Sequence, residues 1–105
     1  MSKAGTKRHN AQRDKNERAI IAALEAIGCL VQPLSDKGVP DLMVWSPRRA
    51  CIVLLEVKDG SKPPSARKLK PEQVAWHLEW ITAGAPVYVV TSVTEAMVAC
   101  GWTTP

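Results

Sequence analysis

Hydrophobic and polar positions along the chain predict seven elements in the order α-β-β-β-α-β-α. Ile20, Leu24 and Ile27 recur at helical spacing, which predicts a first helix over residues 14–28. The run ACIVLLEVK at 50–58 is apolar on both faces and is therefore expected at the centre of a sheet. The remaining strands are predicted at 29–34, 39–45 and 86–91, and the remaining helices at 71–83 and 92–100. This order predicts an α/β fold, a small mixed four-stranded sheet flanked by helices.

A Pro-rich basic segment, DGSKPPSARKLK at 59–70, precedes the second long helix. Twelve residues without predicted structure in so small a domain indicate a functional loop. The helix that follows has an apolar side with Trp76 and Trp80, which we expect in the core or at a subunit interface, and Gln73 lies in the same arc. His77 shares that face, where we expect a structural histidine with satisfied hydrogen bonds.

Length and composition limit the class of protein. A chain of 105 residues has room for one domain, and it contains no apolar run long enough for a membrane-spanning helix. The polar first residues do not resemble a secretory signal. Cys29, Cys51 and Cys100 are too scattered for a disulfide framework or a zinc knuckle, so we expect buried, reduced thiols in a cytoplasmic protein.

The charge is distributed unevenly along the chain. Residues 1–70 hold all 14 Lys and Arg against seven acids, a net +7, whereas residues 71–105 carry three acids and no Lys or Arg. Residues 1–13 are predicted to form a flexible basic arm, and 14–105 a single domain. A one-sided basic surface favours a polyanionic partner, although charge alone is also compatible with simple solubility.

Polar residues interrupt two predicted strands and carry the candidate chemistry. A hairpin that pairs Trp45 with Ile52 would place Asp41 opposite Glu56, with Lys58 two residues further on the same face. Two carboxylates this close repel each other. One could take up a proton, the lysine could compensate, or a divalent cation could bind between them.

The cation alternative has a chemical rationale. Mg²⁺ prefers oxygen ligands and is commonly held by one or two carboxylates together with water. The backbone carbonyl of Val57 could add a ligand, and Glu17, which continues the apolar stripe of the first helix, could reach the same end. Lys58 would then orient a water molecule or neutralise charge on a phosphate. For Glu-Val-Lys alone, an ordinary salt bridge is the alternative.

The order of these residues resembles the PD-(D/E)xK nuclease superfamily. Val39-Pro40-Asp41 followed by Glu56-Val57-Lys58 is similar to its signature, and Gly38 before that run and Gln73 after Pro71-Glu72 resemble the VRR-NUC branch, the virus-type replication-repair nucleases. The resemblance covers roughly residues 14–92.

This resemblance implies a restriction-endonuclease-like αβββαβ core and a Mg²⁺- or Mn²⁺-dependent DNA endonuclease. It implies metal-binding acids at Asp41 and Glu56, a backbone ligand at Val57, a further acid at Glu17, and catalytic roles for Lys58 and Gln73. By analogy it also implies a stand-alone homodimer of phages and bacterial hosts that acts on flaps or Holliday-junction-like DNA. A non-catalytic DNA-binding module, or a subunit active only in a larger complex, is the alternative.

Basic side chains and the hydroxyl of Ser35 are the candidates for phosphate contacts, although an ordinary turn serine is the preferred interpretation of Ser35. Such contacts provide affinity rather than sequence readout. With no groove-reading helix or base-stacking sheet evident, we expect recognition of DNA structure. The candidates are Lys7, Arg8, Arg13, Lys15, Arg18, Ser35, Lys37, Arg48, Arg49, Lys62, Arg67, Lys68 and Lys70.

Overall fold

The predicted order of elements is confirmed in the computed structural model, which describes residues 15–103. The predicted arm at 1–13 lies outside this range. No helix within it is long and apolar enough to cross a membrane. The elements are α1 (Lys15–Ala26), β1 (Leu30–Pro33), β2 (Leu42–Ser46), β3 (Cys51–Val57), a 3₁₀ turn (Pro64–Arg67), α2 (Pro71–Thr82), β4 (Val87–Val90) and α3 (Val93–Ala99). The 3₁₀ turn corrects the prediction that 59–70 has no structure.

The four strands form one mixed sheet in the order β1-β2-β3-β4. β1 and β2 are antiparallel, as are β2 and β3, whereas β4 runs parallel to β3 after a crossover through α2. β3 is therefore central, as its apolar sequence predicts. The predicted register is also confirmed, because Trp45 pairs with Ile52.

One face of the sheet forms the core under α1 and α3. Alternate residues of β2 and β3 point into it, and Ile20 and Leu24 of α1 close it from above. Glu17 continues the buried stripe of α1, as predicted. The three cysteines are free thiols, with Cys29 and Cys100 buried and Cys51 only half-buried.

The other face is only partly covered, by α2. Most of the apolar side of this helix is open to solvent, and His77 is the only α2 residue that is fully buried. Trp76 is half-buried and Trp80 is exposed, so a core position is wrong for Trp80 within a single chain. Exposed apolar residues of this side include Leu30, Met43, Trp45, Ile52, Val74, Leu78, Trp80, Ile81 and Val89.

Candidate active site

The predicted acids meet where β2 begins and β3 ends. Asp41 directly precedes β2, and its Oδ2 accepts a hydrogen bond of 2.8 Å from the backbone N–H of Val57. The same antiparallel register brings Glu56 beside Asp41. Lys58 follows β3, and its backbone N–H donates to the carbonyl of Val90 at 2.9 Å. Hydrogen bonds of the main chain therefore fix the backbone positions from which the side chains of Asp41, Glu56 and Lys58 extend.

Gln73 of α2 links the lysine to the glutamate. Its Nε2 donates to Oε2 of Glu56 at 3.0 Å, and its Oε1 accepts from Nζ of Lys58 at 3.3 Å. The same Oε1 accepts from the backbone N–H of Lys70 at 2.8 Å, so the start of α2 orients the amide. Nζ of Lys58 lies 3.8 Å from Oε2 of Glu56, which completes a connected polar cluster.

The Glu56 carboxyl has the strongest electrostatic perturbation of the cluster. It is 1% exposed, and burial together with the charge of Asp41 raises its pKa to about 8. A hydrogen bond with Asp41 and the charge of Glu17 act in the same direction, while Lys58 opposes them. A buried carboxyl group that prefers a proton is the expected result when two acids share a site without sufficient positive charge.

His77 lies one helical turn beyond Gln73 and is 5% exposed. Its Nε2 lies 3.5 Å from Oε1 of Glu56, and neither atom has a hydrogen-bond partner within residues 15–103. Burial, and then the charge of Lys58, lower the pKa of His77. The expectation of a buried histidine is confirmed, but that of a satisfied one is wrong.

Asn16 connects two strand ends at the same end of the sheet. Its role was not predicted from the sequence. Its Nδ2 donates to the carbonyl of Lys58 at 2.9 Å and to that of Thr91 at 3.0 Å. These carbonyls follow the adjacent parallel strands β3 and β4, so one amide on α1 bridges them. The signal available in the sequence was a polar residue at the start of a helix, which is too common to indicate this role.

The donor set fits a small divalent cation. Asp41 and Glu56 supply neighbouring carboxylates, and Oε1 of Glu56 is a buried acceptor without a partner in the described chain. Within residues 15–103, no three His, Cys, Asp or Glu side chains form a ready-made cage. Two carboxylates completed by water, substrate or backbone oxygen are the usual arrangement for Mg²⁺, whereas Zn²⁺ prefers a fuller set of protein ligands.

Most candidate phosphate contacts lie at the same end of the sheet as the acids. The turn with Ser35 and Lys37 lies against the start of α2, where a Cβ on Gly38 (φ +82°) would come within 3.2 Å of the Glu72 carbonyl oxygen. The loop between β3 and α2 and the first turn of α1 adjoin this end too. The candidates they carry are Lys15, Arg18, Lys62, Arg67, Lys68 and Lys70.

Arg48 and Arg49 occupy the other end of the strands, in the turn between β2 and β3. Arg48 lies over the ring of Trp102 at 5.0 Å. Arg49 donates to the hydroxyl of Tyr88 and to the carbonyl of Ala99, each at 2.8 Å. Both guanidinium groups thus have packing roles away from the acids. Lys7, Arg8 and Arg13 lie outside the described residues.

The fold and the placement of these acids define a protein of the restriction-endonuclease-like class. A solved structure described as a VRR_NUC domain is 33% identical, with 80% of this chain and 88% of that chain covered and a TM-score of 0.63. No protein-family model matches the sequence, and no curated protein does. At this identity and coverage the chain belongs to the VRR-NUC family, so its fold is that of a nuclease family.

Proposed function

We propose that the protein is a metal-dependent DNA endonuclease that hydrolyses phosphodiester bonds at branched DNA, such as flaps or four-way junctions. One observation carries the proposal: Asp41, Glu56, Lys58 and Gln73 form one connected polar cluster. It lies at the end of the sheet whose adjoining loops and first helical turn carry most of the basic candidates. A structural salt bridge does not require a buried acid in contact with a second acid, or an unpartnered carboxylate oxygen.

The residues divide the chemistry between them. Asp41 and Glu56 would hold Mg²⁺ or Mn²⁺, with the Val57 carbonyl as a further ligand and Glu17 acting through water. The bound cation would stabilise negative charge and lower the pKa of a coordinated water. Lys58, the cationic side chain of the cluster, would hold the attacking water or a phosphate oxygen in place.

Gln73 would orient the side chain of Lys58. Its Oε1 accepts from Lys58 Nζ while its Nε2 holds Glu56. Because the amide donates on one side and accepts on the other, it keeps the lysine and the carboxylate apart by a fixed distance. A Lys58–Glu56 ion pair that closed fully would take both groups away from the substrate.

Cleavage of labelled DNA tests the proposal. Four-way junction, flap, duplex and single-stranded DNA are incubated with Mg²⁺, Mn²⁺ or EDTA, using the wild type and Lys58→Ala. We expect metal-dependent cutting of branched DNA that falls by at least about 100-fold in the variant. Glu25→Gln, a change at an exposed position of α1, is the control for a substitution outside the proposed site. Salt-sensitive binding without cutting would instead favour the binding module or a subunit of a complex.

We also propose that the protein acts as a homodimer through α2 and the uncovered sheet face. Val74, Leu78 and Ile81 form an exposed stripe at i, i+4 and i+7, and Leu78 is 66% exposed. Extended apolar surface on a small soluble domain is typical of an interface. A second copy fits because a two-fold axis pairs a surface with itself and brings two active sites to one branched substrate.

Sedimentation equilibrium tests this dimer. Leu78→Lys should convert the protein into a monomer, because a buried unpaired charge strongly disfavours the interface. Val98→Lys is the matched control, since Val98 is exposed to a similar extent on α3. A wild type that is monomeric at tens of micromolar, or a Leu78→Lys variant that still dimerises, would contradict the proposal.

A further inference from the structure

Two buried atoms at the proposed metal site, one of them on the ligand Glu56, have no hydrogen-bond partner within the described chain. Oε1 of Glu56 and Nε2 of His77 lie 3.5 Å apart, and both side chains are almost completely buried. Most buried polar atoms in folded proteins have a hydrogen-bond partner, and exceptions call for an explanation. Packing alone does not explain why two complementary groups face each other at a distance just too long for a good hydrogen bond.

The imidazole is held in this position by its neighbours on α2. Trp76 meets the His77 ring edge-on with centroids 6.0 Å apart, and Trp76 itself stacks on Trp80 at 4.5 Å. Gln73 and His77 are four residues apart and so share one face of the helix. Gln73 already donates to Oε2 of Glu56, whereas His77 faces Oε1. A single helix thus presents one nitrogen to each oxygen of the carboxylate.

We propose that His77 is a positioning residue whose Nε2–H donates to Oε1 of Glu56 when that carboxylate holds a divalent cation. The inference rests on the proposed function, since it requires Glu56 to be a metal ligand. A shift of about 0.5 Å would bring the two atoms within ordinary hydrogen-bond distance. Each carboxylate oxygen has two lone pairs, so one can accept from α2 while another faces the cation.

This arrangement fixes the carboxylate that binds the metal. Without His77, α2 would hold Glu56 only through Oε2. With His77, both carboxylate oxygens accept hydrogen bonds from one rigid helix, so less conformational entropy is lost when the cation binds. Residues that orient a metal ligand commonly change metal affinity by about 10- to 100-fold when they are removed.

Calorimetric titration of the full chain with Mn²⁺ tests the proposal through binding rather than activity. His77→Leu removes the donor and keeps an apolar side chain of similar size, while His77→Gln retains an N–H donor at a similar distance from the backbone. We expect His77→Leu to bind Mn²⁺ about 10- to 100-fold more weakly and His77→Gln to remain close to the wild type. Thermal unfolding in EDTA establishes that each variant is folded.

The outcomes separate this inference from the proposed function. A wild type that binds no Mn²⁺ would overturn the metal site and the role of His77 with it. A wild type that binds Mn²⁺, together with His77→Leu of equal affinity, would overturn only the role of His77. Weak binding by both His77 variants would also overturn it, since the donor would not account for the loss.

A spectroscopic measurement covers the case in which His77→Leu does not fold. In the wild type labelled with ¹⁵N-histidine and saturated with Mg²⁺, we expect the neutral His77 ring to carry its proton on Nε2. The one-bond N–H coupling identifies that nitrogen. A proton on Nδ1, with Nε2 bare, would overturn the proposal because Nε2 could not then donate to Glu56.

Discussion

Glu56→Gln should make the protein's stability less sensitive to alkaline pH in the absence of metal. The substitution keeps the shape of the side chain and removes its titration. Burial and the charge of Asp41 raise the pKa of Glu56 from its ordinary 4.5 to about 8 in the folded protein. Between these values the unfolded chain has lost this proton, whereas the folded chain still holds it.

The sign follows from linkage between protonation and folding. A raised carboxyl pKa contributes stability that is complete below pH 4.5 and disappears as the pH rises through about 8. The slope is at most about 1.4 kcal/mol per pH unit, so from about pH 5.5 to 7.5 this group removes about 2 kcal/mol from the free energy of unfolding. The amide of the Glu56→Gln variant has no proton to lose and therefore contributes no such pH dependence.

The measurement is urea unfolding in EDTA of both proteins across this pH range. His77 has a lowered pKa, so it removes stability as the pH falls, but it does so in both proteins. The informative quantity is therefore the free energy of unfolding of Glu56→Gln minus that of the wild type. It should rise by about 2 kcal/mol between about pH 5.5 and 7.5.

Two further measurements make the result decisive. Glu25→Gln, at an exposed position of α1, should show a flat difference from the wild type. Adding Mg²⁺ near pH 7.5 should stabilise the wild type but not Glu56→Gln, because a ligand that binds only the folded state raises its stability. A flat difference for Glu56→Gln would refute the reasoning, since the buried carboxyl would then titrate as it does in the unfolded chain.

Three other changes probe separate parts of the site. Asp41→Asn should abolish Mn²⁺ binding and cleavage while keeping the fold, and calorimetry that finds unchanged affinity would contradict the metal assignment. Asn16→Ala should lose about 1–3 kcal/mol of unfolding free energy, because two partly buried carbonyls lose their donor. Chemical denaturation that finds wild-type stability would argue against the bridge. Lys62→Ala should reduce the salt dependence of DNA affinity by about one phosphate contact, whereas Arg48→Ala at the far end of the sheet should not. Fluorescence anisotropy at several salt concentrations measures this dependence. The same salt dependence for both variants would count against this interface.

The sheet and the acids could be predicted because local patterns determine them. The turn at Ser46–Ala50 sets the register of the hairpin, and the alternation of β2 determines which side chains face the core. Once Trp45 pairs with Ile52, Asp41 must approach the end of β3. Lys58 follows Glu56 by two residues and therefore leaves the sheet on the same side.

The contacts between α2 and the sheet could not be predicted in the same way. Helical periodicity places Gln73, His77 and Trp80 near one another on a wheel, but it does not say how far the helix covers the sheet. The structure buries His77 and leaves Trp80 exposed. The bridge made by Asn16 depends on how α1 crosses the ends of two parallel strands, which is also a tertiary property.

The electrostatics of the cluster show why these tertiary contacts matter for chemistry. The backbone N–H of Val57 fixes Asp41, the amide of Gln73 fixes Oε2 of Glu56, and Asn16 fixes the main chain at Lys58. None of these bonds requires a cation, so the framework forms before any metal binds. The unfavourable contact between the two carboxyls remains, and a proton on Glu56 relieves it. A divalent cation would displace that proton, so metal affinity should increase as the pH rises toward about 8. The folded chain thus pre-arranges the proposed ligands and leaves one destabilising interaction that metal binding would remove.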